Sequence, residues 1–205
     1  ISGNSVRRST PFGGGSVRGD IRFALGESGV IFSSVNNQIH DNIVSVNDSV
    51  NAAKHIGIYL YVDDAATDTV LRETSVRGNT VHSTGGPSAD GLGSGVLLYI
   101  GSNASADGIV VEDNTVESYI STGVGATLGL SGAPTGNSEG LNLRFRGNSV
   151  SSLDNFGGGG VYVGARASST FDVTLSYLSI EGNTTEGGYG AGVMVQLTAK
   201  TATTG

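Results

Sequence analysis

The densest group of carboxylates in this 205-residue chain is Asp63, Asp64 and Asp68, just beyond the apolar segment Tyr59-Leu60-Tyr61. Two acids beside one groove can bind Ca²⁺ or act as acid and base on a glycosidic bond. The same residue types are common in solvated turns, which is the favoured interpretation. We therefore expect no catalytic residue and no enzyme activity.

Metal and cofactor sites are not predicted either. The three histidines, His40, His55 and His82, fall in different registers of the repeat described below, so no common face for ligands is implied. The chain has no cysteine, which excludes disulfides, thiol catalysis and zinc–thiolate sites. We therefore expect no cofactor.

Four tyrosines lie on or near apolar, glycine-led segments: Tyr59, Tyr61, Tyr99 and Tyr162. Rings on an outer surface can stack on sugars or on a partner protein. The alternative, which we favour, is a column of rings packing along the molecule itself. The acceptor pattern for N-glycosylation occurs at Asn47 and Asn103, both in expected loops, and again at Asn183, which we expect to be unmodified.

A six-residue unit positions these residues. It reads large apolar, polar, Gly or Asp, Asn, small, and then most often Val, and Phe145–Val150 is a clear copy. Consecutive copies are 34 to 38 residues apart, a spacing typical of repeat architectures. The unit recurs around Asn4, Asn42, Asn79, Asn114, Asn148 and Asn183.

Each unit predicts a corner between two short strands. Gly or Asp before Asn suits a left-handed residue, and the apolar residues three before and two after the Asn suit inward positions. Stacked asparagines can bond to each other and to the neighbouring backbone, which makes them a structural column. An amide row that grips sugar is the less favoured alternative. Two positions before the Asn, the residues are His40, Arg77, Glu112, Arg146 and Glu181, and the last four alternate in charge, as expected for stacked coils in register.

Two further landmarks recur. One is a Gly-led apolar run, as in Gly57–Tyr61 and Gly160–Val163, and the other is an alternating strand before the next corner, as in Leu141–Phe145 and Phe171–Leu175. Three strands per repeat predict an all-β fold, a solenoid of about six stacked parallel coils. Residues Ser83–Gly93 and Gly101–Asp107 are expected to be variable loops.

Composition limits the partners. Net charge is −7 and only two lysines are present, which argues against nucleic acid. No apolar run approaches membrane-spanning length, so no membrane insertion is expected. The unbroken repeat predicts one domain, 1–205. Because Ile1 already lies within a unit, we expect a fragment of a longer solenoid.

Two recurring elements together resemble the repeats of polymorphic outer membrane proteins. One is glycine-rich and ends in Val, as in Gly159-Gly160-Val161 and Gly190-Ala191-Gly192-Val193, and the other is an apolar residue three before Asn, as in Phe145-Arg146-Gly147-Asn148. More broadly, the chain resembles the right-handed parallel β-helix of the pectin-lyase-like superfamily. That resemblance implies the fold and a choice among polysaccharide lyases or hydrolases, phage tailspikes and surface adhesins.

We therefore expect a non-catalytic, extracellular or cell-surface structural or adhesive solenoid. It would self-associate or contact neighbouring solenoid segments, forming a fibre or sheath, or present its loops to a partner such as surface glycans. The alternatives are a carbohydrate-active enzyme and a glycan-binding module of the pectin-lyase-like type.

Overall fold

The structure is a computed structural model of the 205-residue chain. The residues it describes are 1–8, 18–25, 33–46, 55–62, 68–83, 94–118, 122–129, 136–152, 159–167, 171–187 and 192–198.

The described residues form twenty-two strands. They are β1 Ser5–Arg8, β2 Arg18–Leu25, β3 Ser33–Val35, β4 Gln38–His40, β5 Ile43–Val46, β6 His55–Val62, β7 Thr69–Arg72, β8 Ser75–Arg77, β9 Thr80–Ser83, β10 Ser94–Ile100, β11 Ala104–Asp107, β12 Val110–Glu112, β13 Thr115–Ser118, β14 Thr122–Leu128, β15 Ser138–Leu141, β16 Arg144–Arg146, β17 Ser149–Ser152, β18 Gly159–Arg166, β19 Val173–Ser176, β20 Ser179–Glu181, β21 Thr184–Glu186 and β22 Val193–Thr198.

Every strand pairs in parallel with its counterpart one repeat away, which confirms the predicted all-β parallel solenoid. Sheet A contains β4, β8, β12, β16 and β20, and sheet B contains β1, β5, β9, β13, β17 and β21. Sheet C contains β2, β6, β10, β14, β18 and β22, and sheet D contains β3, β7, β11, β15 and β19. One coil thus passes through sheets D, A, B and C in order.

The expected three strands per coil is wrong, because each complete coil has four. The described residues give five such coils, and β1 and β2 add part of another, rather than six full coils. The predicted single strand Leu141–Phe145 is two strands, because Asn142 has φ 51° and bends the chain between β15 and β16. The segment Phe171–Leu175 likewise becomes a strand only at Val173.

The sequence pattern does not reveal this break between strands, because the alternation of buried and exposed residues continues across the bend. Leu143 and Phe145 are buried, whereas Asn142 and Arg144 are exposed. Gly101–Asp107 is also corrected: only 101–103 connect strands, since Ala104–Asp107 is β11. Residues 84–93 of the other expected loop lie outside the described residues.

Two corners therefore shape each coil, and each consists of two residues. The asparagine corner joins sheets A and B, and the second corner joins sheets D and A. At both, the first residue is left-handed, with φ between 48° and 67°. The second-corner pairs are Asn36 and Asn37, Glu73 and Thr74, Gly108 and Ile109, Asn142 and Leu143, and Tyr177 and Leu178.

The core is a stack of aliphatic columns enclosed by the four sheets. In sheet C, Leu60, Leu98, Ala126 and Val163 occupy one register and are fully buried. Phe145 is the largest fully buried side chain among the described residues. Burial of these side chains contributes about 1.5–3 kcal/mol for each large residue, which is the main stabilising contribution to the fold.

Glycine is required where sheet C meets this core. A Cβ on Gly123 would overlap the side chain of Val150 and lie 2.7 Å from the carbonyl oxygen of Gly160. Gly95 stands in the same relation to Val116 and to the Gly123 carbonyl. The glycine-led pattern in the sequence therefore marks close packing between sheets B and C.

Candidate functional site

The six asparagines form one hydrogen-bonded column at the asparagine corner. The Oδ1 of Asn114 accepts from the backbone N–H of Asn79 at 3.0 Å and from its Nδ2 at 2.9 Å. Asn114 donates in the same way to the Oδ1 of Asn148, at 3.1 and 2.9 Å. Its Nδ2 also donates to the carbonyl of Val76 at 2.9 Å. Equivalent links join every neighbouring pair from Asn4 to Asn183.

These contacts use both ends of each inner amide. Asn42, Asn79, Asn114 and Asn148 are completely buried. An oxygen that already accepts two hydrogen bonds, on a side chain without exposure, has no capacity left for a ligand. The column can therefore hold coils together, but its inner members cannot grip a sugar.

A charged strip follows the outer face of sheet A, beside this column. His40, Arg77, Glu112, Arg146 and Glu181 are in register, one per coil. Arg146 donates to the Oε2 of Glu112 through its Nε at 2.7 Å and its Nη2 at 2.6 Å. The hydrogen bond to Glu112 and the charge of that carboxylate raise the pKa of Arg146, and the nearby Asp113 and Glu181 add to the effect.

Gly and Asp alternate at the left-handed position of the same corner, from Gly3 to Gly147. The Asp113 carboxylate lies over Gly147 of the next coil, where a Cβ would overlap it, and Asp41 lies over Gly78 in the same way. Sequence reasoning predicted the left-handed residue but missed this alternation, although the order Gly, Asp, Gly, Asp, Gly is visible in the repeat.

The predicted carboxylate cluster is only partly visible, since Asp63 and Asp64 lie outside the described residues. Asp68 is exposed and lines a cavity of about 300 Å³ on sheet D. Glu139, two coils away, lines the same cavity together with Asn103, Ser105 and Asn137. No described lining residue is basic, so the cavity brings together two acids and two side-chain amides.

Two of the histidines pair with acids. His40 Nδ1 lies 2.8 Å from the Oδ2 of Asp41, and His82 Nδ1 lies 2.6 Å from the Oε2 of Glu117. The side chain of His55 is not among those described. Within the described ranges, no three His, Asp or Glu side chains are grouped closely enough to hold a metal ion.

The outer face of sheet C carries the tyrosines. Tyr61 and Tyr99 stack, with ring centroids 5.2 Å apart and planes 5° apart. Tyr59 meets Tyr61 edge to face at 5.6 Å, and the Arg22 guanidinium lies 5.2 Å from the Tyr61 centroid. These rings pack along the molecule, as the favoured interpretation predicts.

Tyr162 lies apart from the other three rings. In its own outward register of sheet C, Gly125 lies between Tyr162 and Leu97. In the other outward register, Thr127 pairs with Tyr99, so the strand between Tyr162 and the other tyrosines carries no aromatic ring. Its hydroxyl donates to the Oε1 of Gln196 at 3.2 Å. It lines a cavity of about 220 Å³ with Gly164, Arg166, Gln196 and Thr198. Sequence reasoning singled out Tyr162 but not Arg166 or Gln196, which no motif marks.

The structure describes only one of the two predicted glycosylation positions. Asn47 lies outside the described residues. Asn103 is half-buried with φ 50°, and its Oδ1 lies where a Cβ on Gly136 would be. Asn183 belongs to the column, and its Nδ2 donates to the carbonyl of Phe145 at 2.8 Å.

No helix in the described part of the chain is long and apolar enough to span a membrane. Comparisons with protein-family models, curated proteins and solved structures gave no match. The resemblance to pectin-lyase-like proteins and to polymorphic outer membrane proteins therefore gains no support from them. The parallel β-solenoid itself is established by the pairing of its strands.

Proposed function

We propose that this chain is a non-catalytic structural or adhesive rod, located outside the cell or on its surface. The observation that carries the proposal is the asparagine column, in which each inner amide is consumed by contacts between coils. Such a column serves rigidity, because every coil is tied to the next by directional bonds inside the molecule. Rigid solenoids typically act through the surface that they present.

The presented surface would be the connections between sheets B and C and between sheets C and D. Their lengths vary from coil to coil, whereas both two-residue corners are constant. Connecting segments of variable length on a rigid scaffold are the usual place for binding residues. We also infer that the coils are right-handed, since parallel crossover connections within one sheet are right-handed in about 98% of cases. This is the finer fold that the pectin-lyase-like resemblance implies.

The proposal is tested by locating the protein and testing it for turnover. We expect protease treatment of intact source cells to release peptides of this chain, while a cytoplasmic marker stays protected. The purified protein should leave a panel of neutral and acidic polysaccharides uncleaved. Release only after cell lysis, or cleavage that the double variant Asp63→Ala and Asp64→Ala abolishes, would overturn the proposal.

The carbohydrate-active enzyme remains a rival because Asp68 and Glu139 share one cavity. If they act as acid and base, Asp68→Asn and Glu139→Gln should each remove any cleavage activity. The matched control is Asp172→Asn, an exposed acid immediately before β19 that does not line the described cavity.

A glycan-binding module is the second candidate, and the cavity beside Tyr162 favours it. An aromatic ring, a guanidinium, an amide and a hydroxyl line one opening, a combination that suits a sugar ring and its hydroxyls. Saturable binding on a glycan array that Tyr162→Ala abolishes and Tyr177→Ala leaves unchanged would establish it. Tyr177 is a suitable control because it is the exposed tyrosine of a second corner.

A further inference from the structure

Two tyrosines from neighbouring coils lie face to face on the outer surface of sheet C. Tyr61 on β6 and Tyr99 on β10 pair in register, with ring centroids 5.2 Å apart and ring planes 5° apart. Because the paired strands are parallel and in register, like carbons of the two phenol rings lie side by side. Both residues are half-buried rather than enclosed. This arrangement is suited to a bond between the two rings.

The neighbouring strands hold the Tyr61 ring in this position. The Arg22 guanidinium lies over that ring, 5.2 Å from its centroid. In sheet C, β2 and β10 flank β6 on opposite sides, so Tyr61 has a cation on the strand before it and the Tyr99 ring on the strand after it. Tyr59 also meets Tyr61 edge to face at 5.6 Å. These contacts limit how far the Tyr61 ring can turn away from Tyr99.

No other two tyrosines among the described residues are stacked. Tyr162 lies in the other outward register, where Gly125 is its partner on β14. Tyr177 lies at a second corner and is 81% exposed. Beyond Tyr99, the register that contains the stacked pair has no ring, since it continues as Thr127, Gly164 and Gln196.

We infer that Tyr61 and Tyr99 are a site of oxidative cross-linking, at which a one-electron oxidant converts the stacked rings to dityrosine. The oxidant removes one electron and one proton from each phenol. The two tyrosyl radicals then form a carbon–carbon bond between ortho carbons, and the hydrogen on each of these carbons moves to its own phenol oxygen. In total the oxidant accepts two electrons and the solvent accepts two protons, and both phenols are restored.

The fold favours this bond over others. The ladder between β6 and β10 already holds the two backbones one strand spacing apart, and the terminal torsion of tyrosine is broad enough for the rings to turn. Rings held together couple more readily than rings that must diffuse together. The product ties two coils covalently in a chain that has no cysteine. This inference goes beyond the proposed structural or adhesive role and does not depend on it.

Photo-oxidation of the full chain, with a ruthenium tris-bipyridyl sensitiser and persulfate as the electron acceptor, tests the site. Trypsin cleaves after Lys54, Arg72, Arg77 and Arg144, which places Tyr61 in the peptide 55–72 and Tyr99 in the peptide 78–144. Mass spectrometry of the monomer should find these two peptides joined with the loss of two hydrogen atoms, together with dityrosine fluorescence. A bond between Tyr59 and Tyr61 would instead stay within 55–72.

Phenylalanine variants identify the two residues, because Tyr59 and Tyr119 lie in the same two peptides. Tyr61→Phe and Tyr99→Phe keep a ring at each position but lack the phenol, so each should abolish the joined peptides while circular dichroism stays that of the wild type. Tyr162→Phe and Tyr177→Phe are the matched controls and should leave the yield unchanged.

Oxidation in urea, at a concentration that unfolds the chain, separates proximity from simple reactivity. The yield of the joined peptides should fall there, because the two rings are no longer held together. A native monomer without the joined peptides would overturn the inference, as would a link that persists in Tyr61→Phe or Tyr99→Phe, or an equal yield in urea. None of these results bears on the cellular location or on the lack of turnover.

Discussion

The two corners of each coil have one backbone shape but different side chains. In both, a left-handed residue is followed by a buried or half-buried residue, except at Gly3, where the exposed Asn4 follows. In both, the first residue donates its N–H to the preceding strand of the next coil, as Asp113 does to Arg146 at 3.1 Å and Gly108 to Leu141 at 3.0 Å. The difference lies in the N–H of the second residue.

At the asparagine corner, the N–H of each asparagine from Asn4 to Asn148 donates to a side-chain oxygen, as in Asn79 donating to Asn114. At the second corner, the N–H groups of Ile109 and Leu143 meet no acceptor among the described residues, although both residues are buried. A buried N–H without an acceptor costs about 1–3 kcal/mol. The geometry therefore leaves one donor per corner. Asparagine satisfies it at one corner, and burial of the apolar side chain offsets it at Ile109 and Leu143 of the other.

The largest effect should come from removing an inner amide. Asn114→Ala leaves the N–H and Nδ2 of Asn79 without their acceptor and removes one donor from the carbonyl of Val76, so we expect a loss of about 3–5 kcal/mol in the free energy of unfolding. Urea unfolding measures it. The control is Asn4→Ala, at the exposed end of the column, where we expect at most about 1 kcal/mol. Equal losses at the two positions would show that the column is not cooperative.

The reverse substitution, which introduces an amide, can be made at the second corner. Leu143→Ala removes a buried side chain and should cost about 2–5 kcal/mol. Leu143→Asn should cost less than Leu143→Ala, because its Oδ1 can accept from the N–H of Ile109. Urea unfolding of both variants gives the order. If Asn is the more costly residue at 143, as at most buried apolar positions, the proposed role of the amide is wrong.

At the left-handed positions, replacing a glycine by alanine should cost more stability where the site is crowded than where it is open. Gly182→Ala meets nothing closer than 3.9 Å and should cost about 1–2 kcal/mol, the conformational penalty alone. Gly147→Ala should cost more, since its Cβ would overlap the Asp113 carboxylate. The double variant Asp113→Gly with Gly147→Ala should bring the loss back to that of Gly182→Ala.

At the second corner, Tyr177 allows the opposite substitution, in which a left-handed residue is replaced by glycine. It is left-handed, with φ 56°, and 81% exposed, so Tyr177→Gly relieves the backbone while removing few contacts. The greater freedom of glycine in the unfolded chain offsets part of this gain, leaving about 0.5 kcal/mol of stabilisation. A melting temperature below that of the wild type would contradict this expectation.

The smallest effect should come from the charged strip. Arg146→Ala removes the ion pair with Glu112 at an exposed site, and the difference from the wild type should shrink further in high salt. The raised pKa of Arg146 contributes stability below its unfolded pKa that is lost only as pH rises through the folded value. Both lie far above neutrality, so thermal melts between pH 5 and 9 should show no dependence arising from Arg146.

Much of the architecture was readable because its signals repeat. The asparagine, the left-handed residue before it and the inward positions around it recur in nearly every coil, so the parallel stack and its register could be predicted. The second corner escaped because its left-handed residues include Glu73 and Tyr177, which are not typical of that conformation. The alternation that continues through Asn142 and Leu143 then made two strands look like one.

The candidate sites were less predictable for a physical reason. The cavity beside Tyr162 and the one beside Asp68 draw residues from different coils, such as Gln196 and Glu139. Which residues meet there depends on register across connections of unequal length. The sequence repeat fixes the register of the strands but contains no pattern for the side chains that happen to meet on the outer faces.

The fixed and variable edges of each coil have a consequence for protein engineering. Only two residues ever separate sheet D from A or A from B, while three residues (119–121) lie between β13 and β14 and ten (84–93) between β9 and β10. Foreign peptides grafted between sheets B and C should therefore be tolerated at many lengths. A single residue inserted at either corner would shift the phase of everything downstream in that coil.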